Sequence, residues 1–417
     1  MASAGTTAPA MVAPIETLAI TRAEYEERVA STRRAMERAG LDALIVFNSI
    51  RIVYLSGFTH ATTERPMALI IPASGDLGVL IPALEQEHVR KAASVGHFAV
   101  YPEYPAGPSG KHPMQHLATL LKELKLTGRG KKIGVDTDGY GDVNGYRGPS
   151  VTEIAAGAAV VPAADLIDTP RHVKTAHELQ LIRESARWGN LAHRILQKEM
   201  AIGRSEIEVS LRATLAATTT MLDTLGPTYI GGGRGVQSSP ASAMFIAGTN
   251  TSMPHGMRRE GGLRPGDVII TGAGALVGGY HSELERTMIV GEPSAEFRTY
   301  FEAMTHIQEV AFAALRPGRT CADAERDISG AIAAMGYAEL QRHHTGHGIG
   351  LEGHEQPFID MGDETELRPG MVLSVEPGLY VPGFAGFRHS DTIVITDNGC
   401  DSLTFYPRDL DSLIVPV

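Results

Sequence analysis

Between Gly346 and Pro357 the chain reads G-H-G-I-G-L-E-G-H-E-Q-P, and this stretch restricts the fold more than any other. Its glycines at 346, 348, 350 and 353 permit tight turns and close approach of other groups. His347 and His354 bring imidazoles that can bind metal or move protons near neutral pH. A strand-like run, Met371–Val375, follows and delivers Glu376 just ahead of a Pro-Gly turn. Two histidines among glycines, with a strand-end glutamate downstream, read as a constellation lining a pocket.

At 417 residues the chain exceeds one ordinary core and is expected to divide in two. The expected pieces are a flexible tail over 1–14, a first domain over 15–170 and a second over 171–417. A net charge of −11 without a basic run argues against nucleic acid or an anionic membrane as partner. No apolar run is long enough to span a bilayer. Cys321 and Cys400 stand far apart without metal-type spacing, which fits a reducing cytoplasm.

The first domain reads as α/β. A helix is expected over Thr21–Gly40, then a buried strand over Leu41–Phe47, with further strands at Met67–Pro72, Leu77–Ile81, Lys132–Val135 and Ala158–Val161. Helices around Leu84–Ala93 and His112–Leu126 alternate with them, as in a layered α/β domain. After a boundary near Asp168–Lys174, capping boxes at Thr175–Glu178 and Ser205–Glu208 and a similar start at Thr320 announce three helices. With strand runs between them, the second half reads as α+β. Leu263–Ile270 and Leu367–Ser374 share a Leu-Arg-Pro-Gly turn followed by a strand, which suggests two related halves facing one pocket.

Other chemistry-bearing residues cluster in three places. His255 stands in Met253-Pro-His-Gly256, a turn that forbids a helix. In Gly279–Thr287, read as one strand, Glu283 and Glu285 point to the same face beside His281. Two carboxylates on one face repel, so a metal, an arginine or a cationic ligand should lie between them. Arg388, His389 and Asp391 stand at the entrance to a last strand, Thr392–Thr396.

The run Thr345–Glu355, followed by Leu367-Arg-Pro-Gly-Met-Val-Leu-Ser-Val-Glu-Pro-Gly378, resembles the pita-bread family of prolidases, Xaa-Pro aminopeptidases and creatinase. The likeness spans essentially the whole chain and implies an α/β N-terminal domain plus an α+β pita-bread domain with an internal pseudo-two-fold repeat. Peptidases of that family hold two metal ions on Asp, Asp, His, Glu and Glu. The resemblance places these roles at Gly272, Glu283, His347, Glu376 and Ser390, so two donors are missing and one is longer. That loss implies no metal, or at most one ion (manganese, iron, zinc or cobalt) on Glu283, His347 and Glu376.

The tract ending Leu-Glu-Arg-Thr287 looks like the metal-independent creatinase branch. On that resemblance His255 is the catalytic histidine, Glu285 and Glu376 hold a cationic group, and His347 helps to polarise it. Substrate-binding roles fall to Arg65, His281, Glu283, His354 and Arg388, with Arg65 reaching into the partner's site in a homodimer. Thr63 and His281 replace an aromatic and a tyrosine of that branch. The leading expectation is therefore a metal-independent, cytoplasmic hydrolase of a C–N bond in a small zwitterionic or cationic substrate. The alternatives are a metal-dependent Xaa-Pro aminopeptidase or dipeptidase with a reduced site, and an inactive peptide-binding module.

Overall fold

The structure is a computed structural model that describes residues 17–92, 94–104, 110–141, 148–229 and 239–417. The expected tail over 1–14 lies outside the described residues. Those residues form two compact units, one within 20–171 and one from 172 onward together with 17–19.

The first unit is a six-stranded mixed sheet with helices. Its strand order is Val95–Tyr101, Leu77–Pro82, Ala68–Pro72, Ala43–Val46, Lys132–Val135 and Ala159–Pro162. The apolar runs of the sequence form the buried middle: Ile45, Ile70, Leu80 and Ile133 pack with Met114, Leu117 and Leu121 of the helix Pro113–Glu123. Helix Arg22–Ala39 begins at Thr21 in a reciprocal capping box with Glu24. The expected helix near Leu84 divides into a short 3-10 turn, Ala83–Glu85, and a helix, Gln86–Ala92. Two elements not anticipated are helix Ser49–Ser56, capped by the Asn48 side chain, and strand Val95–Tyr101.

The second unit is built on an eleven-stranded sheet whose main path runs Glu355–Ile359, Gly346–Gly348, Val372–Val375, Ser390–Ile395, Leu284–Glu285, Val268–Val277, Thr287–Val290 and Ile414–Val415. Helices Ala176–Glu199 and Glu206–Leu225 pack on strands Val268–Val277 and Ala241–Ala247. Helices Ala295–Ala314 and Cys321–Ala334 pack on strands of the other half. Ala295–Ala314, capped by Ser294, is additional to the three expected helices. Thr175 and Thr320 head reciprocal boxes. Ser205 caps Glu208, but the Glu208 carboxylate turns to Arg212 one turn on, so that box is half made.

The repeated Leu-Arg-Pro-Gly tract does equivalent work in both halves. Leu263 exchanges backbone hydrogen bonds with Gly203 and Arg204, at the entry to the helix capped by Ser205. Leu367 does the same with Gly318 and Arg319, before the helix capped by Thr320. Gly266 then donates to Val290, as Gly370 donates to Ile395. The sequence repeat is thus a structural repeat, each copy tying a helix start to a sheet strand.

The glycine-rich stretch was expected to turn and to let other groups come close; its start is a strand, and the close approach is what the structure shows. Gly346–Gly348 lies between Val372–Val375 and Glu355–Ile359. A Cβ on Gly346 would run into the Ser374 carbonyl oxygen, and one on Gly348 into the Gln356 carbonyl. Neither glycine has a positive φ. Here glycine is required because neighbouring backbone comes close, while chain reversal is left to the segment after Gly348.

Candidate metal centre

Strand pairing assembles the site. Val375 pairs with Gly346 and Asp391, and Glu285 pairs with Ser390. His347, Glu376, Glu283 and Glu285 therefore converge on one face of adjacent strands. The stretch Gly279–Thr287 is not one strand. It breaks into Tyr280–His281 and Leu284–Glu285 before Thr287–Val290 begins, but Glu283 and Glu285 still share a face.

Two sets of donors meet there, each with its candidate ligand atoms within 4.8 Å of one another: Glu283 with His347 and His354, and Glu283 with Glu285 and Glu376. His347 is fully buried, and its Nδ1 lies 3.0 Å from the Gly348 carbonyl oxygen. The carbonyl can only accept, so Nδ1 carries a proton and Nε2 is the nitrogen turned to the carboxylates, with room for a proton or an ion between them. Nε2 lies 3.4 Å from Glu376 Oε1 and 3.9 Å from Glu283 Oε2, with no aligned hydrogen bond. The His354 ring stacks on His347 with centroids 3.7 Å apart.

Serines prepare Glu283. Ser374 and Ser390 donate to its Oε1 at 2.5 and 2.7 Å, which leaves Oε2 turned towards His347. On the other side Arg388 supplies the cation that paired carboxylates require. Its Nη2 donates to Glu285 Oε1 at 2.7 Å, its Nε lies 2.5 Å from Glu285 Oε2, and Nε is 3.7 Å from Glu376 Oε2. Nη1 donates to the Tyr380 hydroxyl at 3.1 Å, and that hydroxyl lies 2.8 Å from His343 Nε2.

Proton affinities follow from this crowding. Burial pushes the Glu285 carboxyl up, Glu283 and Glu376 add to the rise, and Arg388 opposes it. Burial would also raise Glu376, but His347 and Arg388 bring it down to about 2. Burial would lower His347, yet Glu376 and Glu283 raise it above the ordinary imidazole value. His354 is exposed; partial desolvation by the packed groups around it and the neighbouring His347 lower it.

Of the residues singled out from sequence, the structure brings together Glu283, Glu285, His347, His354, Glu376 and Arg388. His281 stands a little apart. It shares with Gly272, Ser242, Met244 and Glu283 the lining of a cavity of about 420 Å³. His255 is exposed in its turn, and no hydrogen bond or ion pair joins it to this cluster among the described residues. Arg65 belongs to the first unit, where its guanidinium pairs with Glu103 and Glu64. Ser374, Tyr380 and His343 were not anticipated. Ser374 could have been found, because it precedes Glu376 by two along a strand and shares its face.

A family model, "Metallopeptidase family M24", matches residues 180–397, more than half of the chain, and the model for the creatinase/prolidase N-terminal domain matches 28–173. The chain belongs to the M24 metallopeptidase family. It is similar to the probable dipeptidase PepE of Mycobacterium tuberculosis, 29% identical over 396 residues that cover 94% of this chain and 97% of the relative. It is also similar to the Xaa-Pro dipeptidase of Pyrococcus furiosus, 26% identical over 387 residues that cover 92% and 99%. Among solved structures, dipeptidase PepE from Mycobacterium ulcerans superposes with a TM-score of 0.79 at 29% identity, covering 96% of this chain and all of that one. An Xaa-Pro dipeptidase from Bacillus anthracis gives 0.76 at 27%, covering 94% and 99%.

Membership in M24 overturns the metal-independent, creatinase-like reading and the expectation of no cofactor. These relatives are named as dipeptidases, and the family is one of metallopeptidases. Gly272 and Ser390 do lack donors for an ion, but the donors that remain at Glu283, His347 and Glu376 converge, so losing two positions does not abolish a metal site. Glu285 in fact fills the space beside Gly272, its Oε1 lying 3.7 Å from where a Cβ at 272 would stand. Glu283 Oε2 and His347 Nε2 face each other at 3.9 Å with no hydrogen bond between them, so the donors of this M24 site fit a divalent ion. No helix among the described residues is long and apolar enough to cross a membrane.

Proposed function

We propose that this protein is a metal-dependent peptidase acting on dipeptides or comparably short peptides, with Glu283, His347 and Glu376 as the core of its metal site and His354 as a further donor within reach. The observation that carries the reading is His347. Its Nε2 is buried and unbonded, its tautomer is set by the Gly348 carbonyl, and it faces two carboxylates. Burying an imidazole nitrogen without a hydrogen-bond partner is costly, and a divalent ion is the ligand that this donor set suits. A bound ion would supply Lewis acidity to a peptide carbonyl and lower the pKa of water.

The protein's own groups supply the rest. Ser374 and Ser390 fix Glu283, and the Gly348 carbonyl fixes His347, so little reorganisation accompanies binding. The cavity of about 420 Å³ over Gly272, Ala273 and Gly274 is of small-ligand size and takes the substrate residue beside the scissile bond. Pairing of two chains, with Arg65 contacting a substrate carboxylate across the interface, belongs to the same reading. It requires the Arg65 guanidinium to exchange Glu103 for substrate, and sedimentation measurements on wild type test the pairing.

The test is to strip the protein with a chelator and assay a dipeptide panel that includes Xaa-Pro substrates. Loss of turnover on stripping and recovery with manganese, cobalt, zinc or iron is expected. Undiminished turnover by the stripped protein contradicts the proposal.

A further inference from the structure

Divalent ions need anionic donors, and a second ion beside the first needs its own set. The second set here is Glu283, Glu285 and Glu376. It already holds a cation. Arg388 lies within 2.5 and 2.7 Å of the two Glu285 oxygens and 3.7 Å from Glu376. The guanidinium is not a surface group that happens to lean inward. Its side chain is 13% exposed, and it is anchored by Tyr380, which is fully buried and itself bonded to His343.

The other positions from which a second ion could draw donors are spent. Gly272 has no side chain, and the Glu285 carboxylate fills the space beside it. The Ser390 hydroxyl points its hydrogen at Glu283 Oε1. A divalent ion entering this set would sit in contact with a guanidinium that keeps its charge at every physiological pH.

We propose that the site carries one divalent ion, on the Glu283–His347 side, and that Arg388, clamped by Glu285 and Tyr380, is a built-in cation standing where a second ion would otherwise be held. This rests on the metallopeptidase reading above. On this account Arg388 is a positioning residue for Glu285 and Glu376, and it sets the number of ions bound.

The experiment counts ions. Chelator-stripped wild type is titrated with manganese(II), desalted and measured for metal per chain by mass spectrometry, with electron paramagnetic resonance of the bound ion. Wild type should retain one manganese with an uncoupled six-line spectrum. Arg388→Ala should retain two, with the broadened signal of a coupled pair. Should Arg388→Ala fail to fold, Arg388→Gln removes the charge while keeping a hydrogen-bonding side chain for Glu285; it should retain two ions, and one ion in it would overturn the proposal. Two ions in wild type, or one ion in folded Arg388→Ala, would overturn the proposal while leaving a metallopeptidase in place. Zero ions in wild type would overturn both readings together.

Discussion

The guanidinium of Arg388 and the carboxylate of Glu285 face each other from strands of two different sheets, Nη2 to Oε1 at 2.7 Å and Nε to Oε2 at 2.5 Å. Glu285 comes from a two-residue strand and Arg388 from the end of a hairpin, so neither position alone announces the pair. Their meeting explains how three carboxylates share one pocket without flying apart.

Removing the cation should therefore be costly in the absence of metal. Arg388→Ala leaves Glu285 and Glu376 facing each other and is expected to lower stability by roughly 3–5 kcal/mol. Adding Glu285→Gln should recover much of that loss. Urea titrations of the two variants check it; equal destabilisation of single and double variants would contradict the pairing.

Ser374 acts on the metal through Glu283. Ser374→Ala removes the shorter of the two hydroxyl bonds to Oε1 and frees the carboxylate to rotate. Manganese affinity measured by calorimetry should fall about 10- to 100-fold, with little change in folding. Unchanged affinity would mean that Glu283 needs no such support.

Gly348 is fixed by its neighbours rather than by its own dihedral angles. A methyl group there meets the carbonyl oxygens of Gln356 and of Glu355, the latter at 2.7 Å. Gly348→Ala should displace the strand carrying His347, with a loss of about 1–3 kcal/mol and weaker metal retention. Thermal unfolding and metal content of the purified variant measure the two effects.

Much of this was legible in the sequence. The alternation of apolar runs gave the first unit's sheet, because strands such as Ala68–Pro72 are buried on both faces and read as continuous apolar stretches. The Leu-Arg-Pro-Gly repeat foretold the two halves, because a turn followed by a strand leaves a local signature. The pairing of Glu283 with Glu285 and the need for a cation followed from period two. The identity of that cation did not, because Arg388 arrives through a hairpin register that only the folded sheet defines. The replacement of the Gly272 position by Glu285 was equally hidden, since cross-strand neighbours are adjacent only in space.

The first unit carries a separate pH response. His60 is 5% exposed and burial lowers its pKa to about 4, against an ordinary value of 6.5. Between those values the unfolded chain binds a proton that the folded chain refuses, so stability falls as pH drops from 6.5 towards 4. The loss amounts to roughly 3 kcal/mol when complete. His60→Gln should flatten the pH dependence of stability in this window, as followed by urea titrations at several pH values; an unchanged slope would assign the response elsewhere.

Metal dependence of dipeptide hydrolysis tests the account most directly. Stripped wild type, His347→Ala and wild type reloaded with manganese are compared on the same dipeptide panel, with metal content recorded for each. The account predicts turnover only in reloaded wild type, and a folded His347→Ala protein that neither retains the ion nor turns over. Turnover by stripped wild type at the reloaded rate would contradict it.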